Sequence, residues 1–349
     1  MRDVIRGFEE RVIAGERLSY EEGVRLIEIP SQSPELMDLI SSANRVRLHY
    51  KGTKVEACSI VNAKAGSCSE DCSFCAQSAH HGADAESYSL LDRDAIGKAA
   101  DTAFDNGAEA FGLVAAWKGL KEGPELEALL DRVRELVAAG RGHVDGSLGH
   151  IPDVSIAHRL KEAGLTTYNH NLETARSHFG NICSTHTFED RVETIQHLRA
   201  AGIKVCSGGI FGMGETPAQR VELAVSLREL ETDTLPMNFL NPIPGTPLEN
   251  TIPLTPLECL QTIAVYRLMI PTANLMVAGG REVNMRDLQS WAFHAGANAC
   301  MVGNYLTTPG RSAEEDAGMF RDLGLTSTVC APEPVAAKAS PLTVISAGA

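Results

Sequence analysis

Beyond residue 54 the chain alternates between short runs of β-branched and apolar residues and longer stretches of helical periodicity. The runs fall at 55–62, 108–115, 143–148, 166–171, 204–211, 234–240, 274–278 and 299–303. Helical patterning fills 92–106, 125–139, 153–163, 188–201, 218–230 and 256–269 between them. Strands alternating with helices, roughly 25–50 residues apart, are the mark of parallel βαβ units. Eight such units close most economically into a (β/α)8 TIM-type barrel, with an open doubly wound sheet as the alternative. Ahead of them, residues 20–29 are amphipathic, and Ser33-Pro34 places a cap residue and a proline at the start of another helix. The organisation expected is a helical extension over 1–45, a barrel over 46–325 and a disordered, Ala- and Pro-rich tail over 326–349.

In a barrel the chemistry sits where the strands end. That rule gathers Asn169, Asn171 and Glu173 after the fourth strand and Glu215 after the fifth. Asn238 and Asn241 end the sixth strand, and Arg281 follows the seventh, where a structural ion pair and a substrate contact are both open.

Composition narrows the partners. The chain has 349 residues, enough for a sizeable core, and its net charge of −14 would repel nucleic acid and anionic membranes. No apolar run approaches the ~20 residues of a membrane span. The first residues lack the apolar core of a signal peptide, so a cytoplasmic location is expected. Nine cysteines, an odd number in such a chain, argue against a disulfide framework. Reduced cysteines are then either small core residues or ligands.

Cys68, Cys72 and Cys75 stand apart, because Ser, Glu and Asp between them fit neither strand nor helix. Iron–sulfur clusters normally take four cysteines, so a run of three leaves one iron of a cubane open to another ligand. Structural zinc is the alternative, but it needs four ligands, usually as two pairs, and no second pair is present. His80, His81 and His170 show no metal-ligand spacing with a partner and read as surface or hydrogen-bonding residues.

The Cys68-x-x-x-Cys72-x-x-Cys75 run, with Phe74 before its last cysteine, resembles the signature of radical S-adenosylmethionine enzymes. That resemblance implies a [4Fe–4S] cluster whose open iron binds S-adenosylmethionine and yields a 5′-deoxyadenosyl radical. Gly208, Gly209, Ile210 and Glu215 match the superfamily's adenine-facing segment, where glycine lets a main chain approach a flat ligand. Within the superfamily, CSEDCSFCAQSAH (68–80), YNHNLET (168–174), CSGGIFGMGE (206–215), PGTPL (244–248), GREVN (280–284) and YLTTP (305–309) are similar to biotin synthases. The resemblance implies sulfur insertion into dethiobiotin, an electron donor such as flavodoxin or ferredoxin, and a homodimer. It also implies that Asn169, Asn171 and Glu173 contact S-adenosylmethionine, and that Asn171 and Asn238 contact the substrate. Glu173 replaces the family's usual aspartate and keeps the carboxylate.

The likeness breaks on the inner wall of the barrel. Biotin synthases of the best-known kind hold a [2Fe–2S] cluster there with three cysteines and an arginine. Carried over by position, only Cys206 survives, while Gly112, Asp145 and Met276 occupy the other places. Two readings stay open. One is a differently ligated auxiliary cluster, with Cys58 and Cys206 converging inside the barrel and Cys300 or Cys183 as optional further ligands. The other is radical chemistry on a related small molecule without sulfur insertion. A non-enzymatic iron–sulfur carrier or sensor is the reading from a different class, and it leaves the asparagines and the glycine segment without purpose.

Overall fold

The computed structural model describes residues 1–329, and in it the strands close into a parallel barrel. β1 (Lys54–Lys64), β2 (Ala110–Ala115), β3 (His143–Ser147), β4 (Thr167–Asn169) and β5 (Lys204–Cys206) follow one another around it. β6 (Gly209–Phe211), β7 (Thr234–Phe239), β8 (Asn274–Val277) and β9 (Ala299–Met301) continue the circuit, and β9 pairs with β1 to complete it. The wall-forming helices are α4 (Arg93–Asp105), α5 (Pro124–Ala139), α6 (Val154–Glu162), α8 (Phe188–Ala200), α9 (Pro217–Glu229) and α10 (Pro256–Met269). A short helix, α7 (Arg176–Phe179), lies between α6 and α8, and α11 (Arg281–Met285), α12 (Trp291–His294) and α13 (Ala313–Asp322) complete the series. Thr187, Thr216 and Thr255 each cap a helix and exchange hydrogen bonds with the third helical residue, which fixes where α8, α9 and α10 begin.

Alternation along the strands separates two environments. On β1 the outward Val55, Ala57 and Ala63 are buried in the core, while Cys58 and Ile60 face a cavity inside the barrel. On β2 Phe111 and Leu113 point outward and Ala110, Gly112 and Val114 inward. The expected single strand over 204–211 is two. Register is kept across the break, with Cys206 opposite Thr234 and Gly209 opposite Met237. The ladder lapses because the Gly208 amide donates to the Asn171 side chain (3.2 Å) instead of a neighbouring strand.

The helical extension comprises α1 (Arg2–Ile13), α2 (Tyr20–Ile27) and α3 (Pro34–Lys51). α3 runs to Lys51 and stops at Gly52, whose φ is 64°, so the boundary expected at residue 45 falls inside a helix. Glu9 locks α1 to α3 by accepting from Arg45 (2.6 Å) and Ser42 (2.7 Å). The amide of Gln261 on α10 donates to the carbonyls of Leu26, Ile27 and Ile29, docking the end of α2 onto the barrel. At the other end, residues expected in the tail form β10 (Thr326–Ser327), which pairs with the start of β1, and Val329 is buried. The rest of the expected tail, with Cys330, lies outside the described residues. Among the described residues no helix is long and apolar enough to cross a membrane.

Candidate active site

The cysteine loop leaves β1 at the C-terminal rim and is pinned from outside. Asp71 accepts from the backbone of Ser184 (2.9 Å) and Thr185 (3.2 Å) and from both hydroxyls. Burial opposes its ionisation, but these hydrogen bonds outweigh it and hold the carboxyl far below its ordinary range. Glu70 pairs with Lys118 (3.0 Å) and with Thr185 and His186; against burial, these partners bring its carboxyl down to about 2. Asp71 is thereby tied to the 184–185 backbone outside the cavity, while Glu70 stays at the cavity edge with Lys118 and His186, and together they fix the loop that carries the cysteines. Cys68, Cys72, Phe74 and Cys75 line a cavity of about 430 Å³ at this rim. Without a metal, burial pushes the Cys75 thiol up to about 11 and raises that of Cys68. Three thiols, Cys72 buried and Cys68 and Cys75 half-buried, with no cationic side chain bonded to them suit iron, whose charge replaces the missing one.

Opposite the loop stand the strand-end residues. Asn169, Asn171, Glu173, Ile210, Asn238 and Asn241 share the cavity wall with the cysteines. Glu173 has φ 68° and is buried, and its Oε2 has no partner among the described residues. Burial raises its carboxyl, and Arg191 at 3.7 Å only partly offsets this. The Oδ1 of Asn169 is likewise buried without a partner. Two orphaned acceptors beside three thiols fit a ligand rich in hydroxyl and amino donors, which is what S-adenosylmethionine presents. Asn238 has a second duty: its side chain donates to the Gly209 carbonyl (3.3 Å) and accepts from the Gly279 amide (3.0 Å), tying β6 to the end of β8.

The glycine segment works from behind the wall. A Cβ on Gly208 would meet the Pro236 carbonyl at 2.0 Å, and one on Gly209 would meet that of Glu173 at 2.5 Å. Glycine is needed there to let neighbouring backbone close in, a different reason from approach to a flat ligand. Glu215 accepts from the amides of Gly212 (2.8 Å) and Met213 (2.7 Å) and from Arg220 (2.8 Å), so its carboxylate shapes the turn. Arg281 is buried against Asp316 (2.6 Å) and Tyr305 (3.1 Å), the structural ion pair of the two alternatives.

Deeper in the barrel, Cys206, Met276 and Ala299 form a small cluster against which Cys58 and Met301 pack. Asp145 also lines this inner pocket; burial pushes its carboxyl up to about 7, and its Oδ1 has no partner among the described residues. Two thiols, two thioethers and a carboxyl thus meet where Gly112 adds nothing. The two optional further ligands do not reach this pocket. Cys300 sits between inward Ala299 and Met301, so its side chain points out into the main core. Cys183 lies at the rim, its sulfur 3.9 Å from that of Cys72.

That position of Cys183 brings in His186, a histidine outside the three weighed from the sequence. Cys72, Cys183 and His186 offer sulfur and nitrogen atoms within 4.8 Å of one another. The local signal was the Cys183-Ser184-Thr185-His186 spacing, and the missing information was the approach of Cys72 from 111 residues away. Cys183 is too close to Cys72 for both to take separate irons of one cubane, since the irons splay their ligands outward. It lies against a ligand position without adding one.

Comparison with known proteins agrees with this geometry. Residues 64–227 match the Radical SAM superfamily model, and residues 236–326 match the Biotin and Thiamin Synthesis associated domain. A biotin synthase of Geotalea uraniireducens is 49% identical over 330 residues, covering 95% of this chain and 99% of that protein. One of Geobacter sulfurreducens is 50% identical over 320 residues, covering 92% and 96%. Among solved structures, methylornithine synthase superposes with a TM-score of 0.78 at 20% identity, covering 92% of this chain and 97% of that one. A maturase of the [FeFe]-hydrogenase gives 0.79 at 14% identity, covering 95% and 76%. These two likenesses bear on the fold.

Proposed function

The chain belongs to the biotin synthase family of radical S-adenosylmethionine enzymes, and from that premise we propose how its own residues divide the work. The reaction is radical insertion of sulfur into dethiobiotin to give biotin. A [4Fe–4S] cluster with S-adenosylmethionine supplies, when bound, an electron to the sulfonium and a 5′-deoxyadenosyl radical that takes hydrogen from the substrate. Cys68, Cys72 and Cys75 hold that cluster, and Phe74 shields it from water. Asn169 and the free oxygen of Glu173 accept from the hydroxyl and amino groups of S-adenosylmethionine, and Ile210 packs against it, positioned by Gly208, Gly209 and Glu215. Asn171 and Asn238 bind the ureido ring of dethiobiotin, since an amide both donates and accepts.

The sulfur comes from an auxiliary iron–sulfur group of unspecified type held by Cys58 and Cys206. The shared pocket of these two thiols, directly below the substrate cavity, is the observation that supports this most. An electron donor such as flavodoxin or ferredoxin, a homodimeric state and a cytoplasmic setting complete the reading. The test is anaerobic reconstitution with iron and sulfide, followed by S-adenosylmethionine, a low-potential reductant and dethiobiotin. Formation of 5′-deoxyadenosine and biotin together supports the assignment; 5′-deoxyadenosine without biotin would sink its sulfur half.

A further inference from the structure

Barrels of this kind are normally filled by layers of side chains below the active site. Here a second cavity, of about 870 Å³, opens at the opposite end of the barrel from the cysteine loop. Residues at the N-terminal ends of the strands line it, from Glu56 on β1 and Ala110 on β2 to Lys204, Thr234, Asn274 and Ala299. Its far end is formed by Cys58, Asp145, Thr167, Cys206 and Met276, and the same five residues form the floor of the upper cavity. The inner sulfur pocket is therefore a thin partition that both ends of the barrel reach.

We propose that the N-terminal mouth of the barrel is the entry route by which inorganic sulfide reaches the Cys58–Cys206 pocket. The inference rests on reading that pocket as the sulfur site. Each biotin formed carries away one sulfur atom, so a second turnover needs another. The C-terminal mouth is the place of the cofactor and the substrate, and sulfide arriving there would cross the radical chemistry. An S–H bond gives up hydrogen readily to a carbon radical, so supply from above would quench the reaction it feeds. Supply from below keeps the two apart. The lower passage also suits a small polar species. The small side chains of Ala110, Thr167 and Thr234 leave it open as far as the sulfur pocket, and Lys54, Lys204, Glu56 and Asp233 present both signs of charge at its edge.

The experiment depletes the auxiliary sulfur by one round of turnover and then adds ferrous iron and sulfide carrying a heavy isotope, without reductant. Uptake of labelled acid-labile sulfide is followed with and without saturating S-adenosylmethionine and dethiobiotin, which together fill the upper mouth. Uptake at an unchanged rate is expected; uptake stopped by the two ligands would overturn the route. Ala110→Phe and Thr234→Phe, which narrow the lower passage, should slow uptake by roughly an order of magnitude while the [4Fe–4S] spectrum is retained. Equal uptake in parent and both variants would also overturn it. A parent that takes up no sulfide beyond its [4Fe–4S] cluster would remove the auxiliary-site reading itself and the route with it.

Discussion

At the scale of single residues, the site depends on groups that are costly to bury and are left without protein partners. Glu173 carries the clearest case, a buried carboxyl in the cavity wall with one oxygen unpartnered among the described residues. Glu173→Gln removes the charge but keeps the shape, and charge-assisted hydrogen bonds of this kind are worth ~1.5–3 kcal/mol. Affinity for S-adenosylmethionine should fall by about 10- to 100-fold in a binding titration without reductant, with iron content unchanged. Unchanged affinity would remove Glu173 from the site. Cys72→Ser should abolish 5′-deoxyadenosine formation and the absorbance of the [4Fe–4S] cluster, whereas Cys183→Ala should retain both. Loss of iron in the Cys183 variant would make it a ligand after all. The three-cysteine loop was legible because its chemistry lies within eight consecutive residues. The Cys183–His186 contact and the buttressing roles of Gly208 and Glu215 were not, because each is defined by backbone that arrives from elsewhere in the chain.

At the scale of elements, strand and helix periodicities carried through, and the departures have local causes. The strand over 204–211 breaks because Asn171 takes the Gly208 amide, an interaction no periodicity encodes. Gly208→Ala would force a Cβ to within 2.0 Å of the Pro236 carbonyl. The variant should lose on the order of 2 kcal/mol or more of stability in denaturant unfolding, because the obstacle is backbone that cannot swing away. A midpoint equal to the parent's would contradict that packing. The helical extension was legible, but β10 was not: two residues carry too little pattern to register as a strand. Glu9 holds the extension together and gives it a pH signature. Burial works against the ionised form, yet hydrogen bonds from Arg45 and Ser42 lower the carboxyl below its ordinary value. A depressed carboxylate contributes stability above the unfolded-state value near 4.5 and loses it as pH falls through the folded value. Glu9→Gln should therefore destabilise by about 1–3 kcal/mol at pH 7 and by progressively less under more acidic conditions. A constant difference across that range would mean that the charge plays no part.

At the scale of the whole molecule, one barrel holds thiols at two depths. The rim carries three thiols on a loop, and the interior carries Cys58 and Cys206 with Met276 where an arginine would be expected. The family and the fold were legible from motifs in register with the strands, and the comparisons agree with both. The make-up of the inner wall was legible as a loss of expected ligands, and so was the pairing of Cys58 with Cys206; which further side chains join them was not, since that is a property of barrel closure. Closure also turned Cys300 outward and kept Cys183 at the rim, leaving two thiols inside among the described residues. The central claim is that these two hold the sulfur that ends in biotin. Counting iron and acid-labile sulfide in anaerobically reconstituted protein, alongside Cys58→Ala and Cys206→Ala, tests it most directly. The account predicts iron above the about four atoms of one cubane cluster, with the excess and biotin formation lost together in both variants while 5′-deoxyadenosine formation persists. About four irons in a parent that still makes biotin would contradict it.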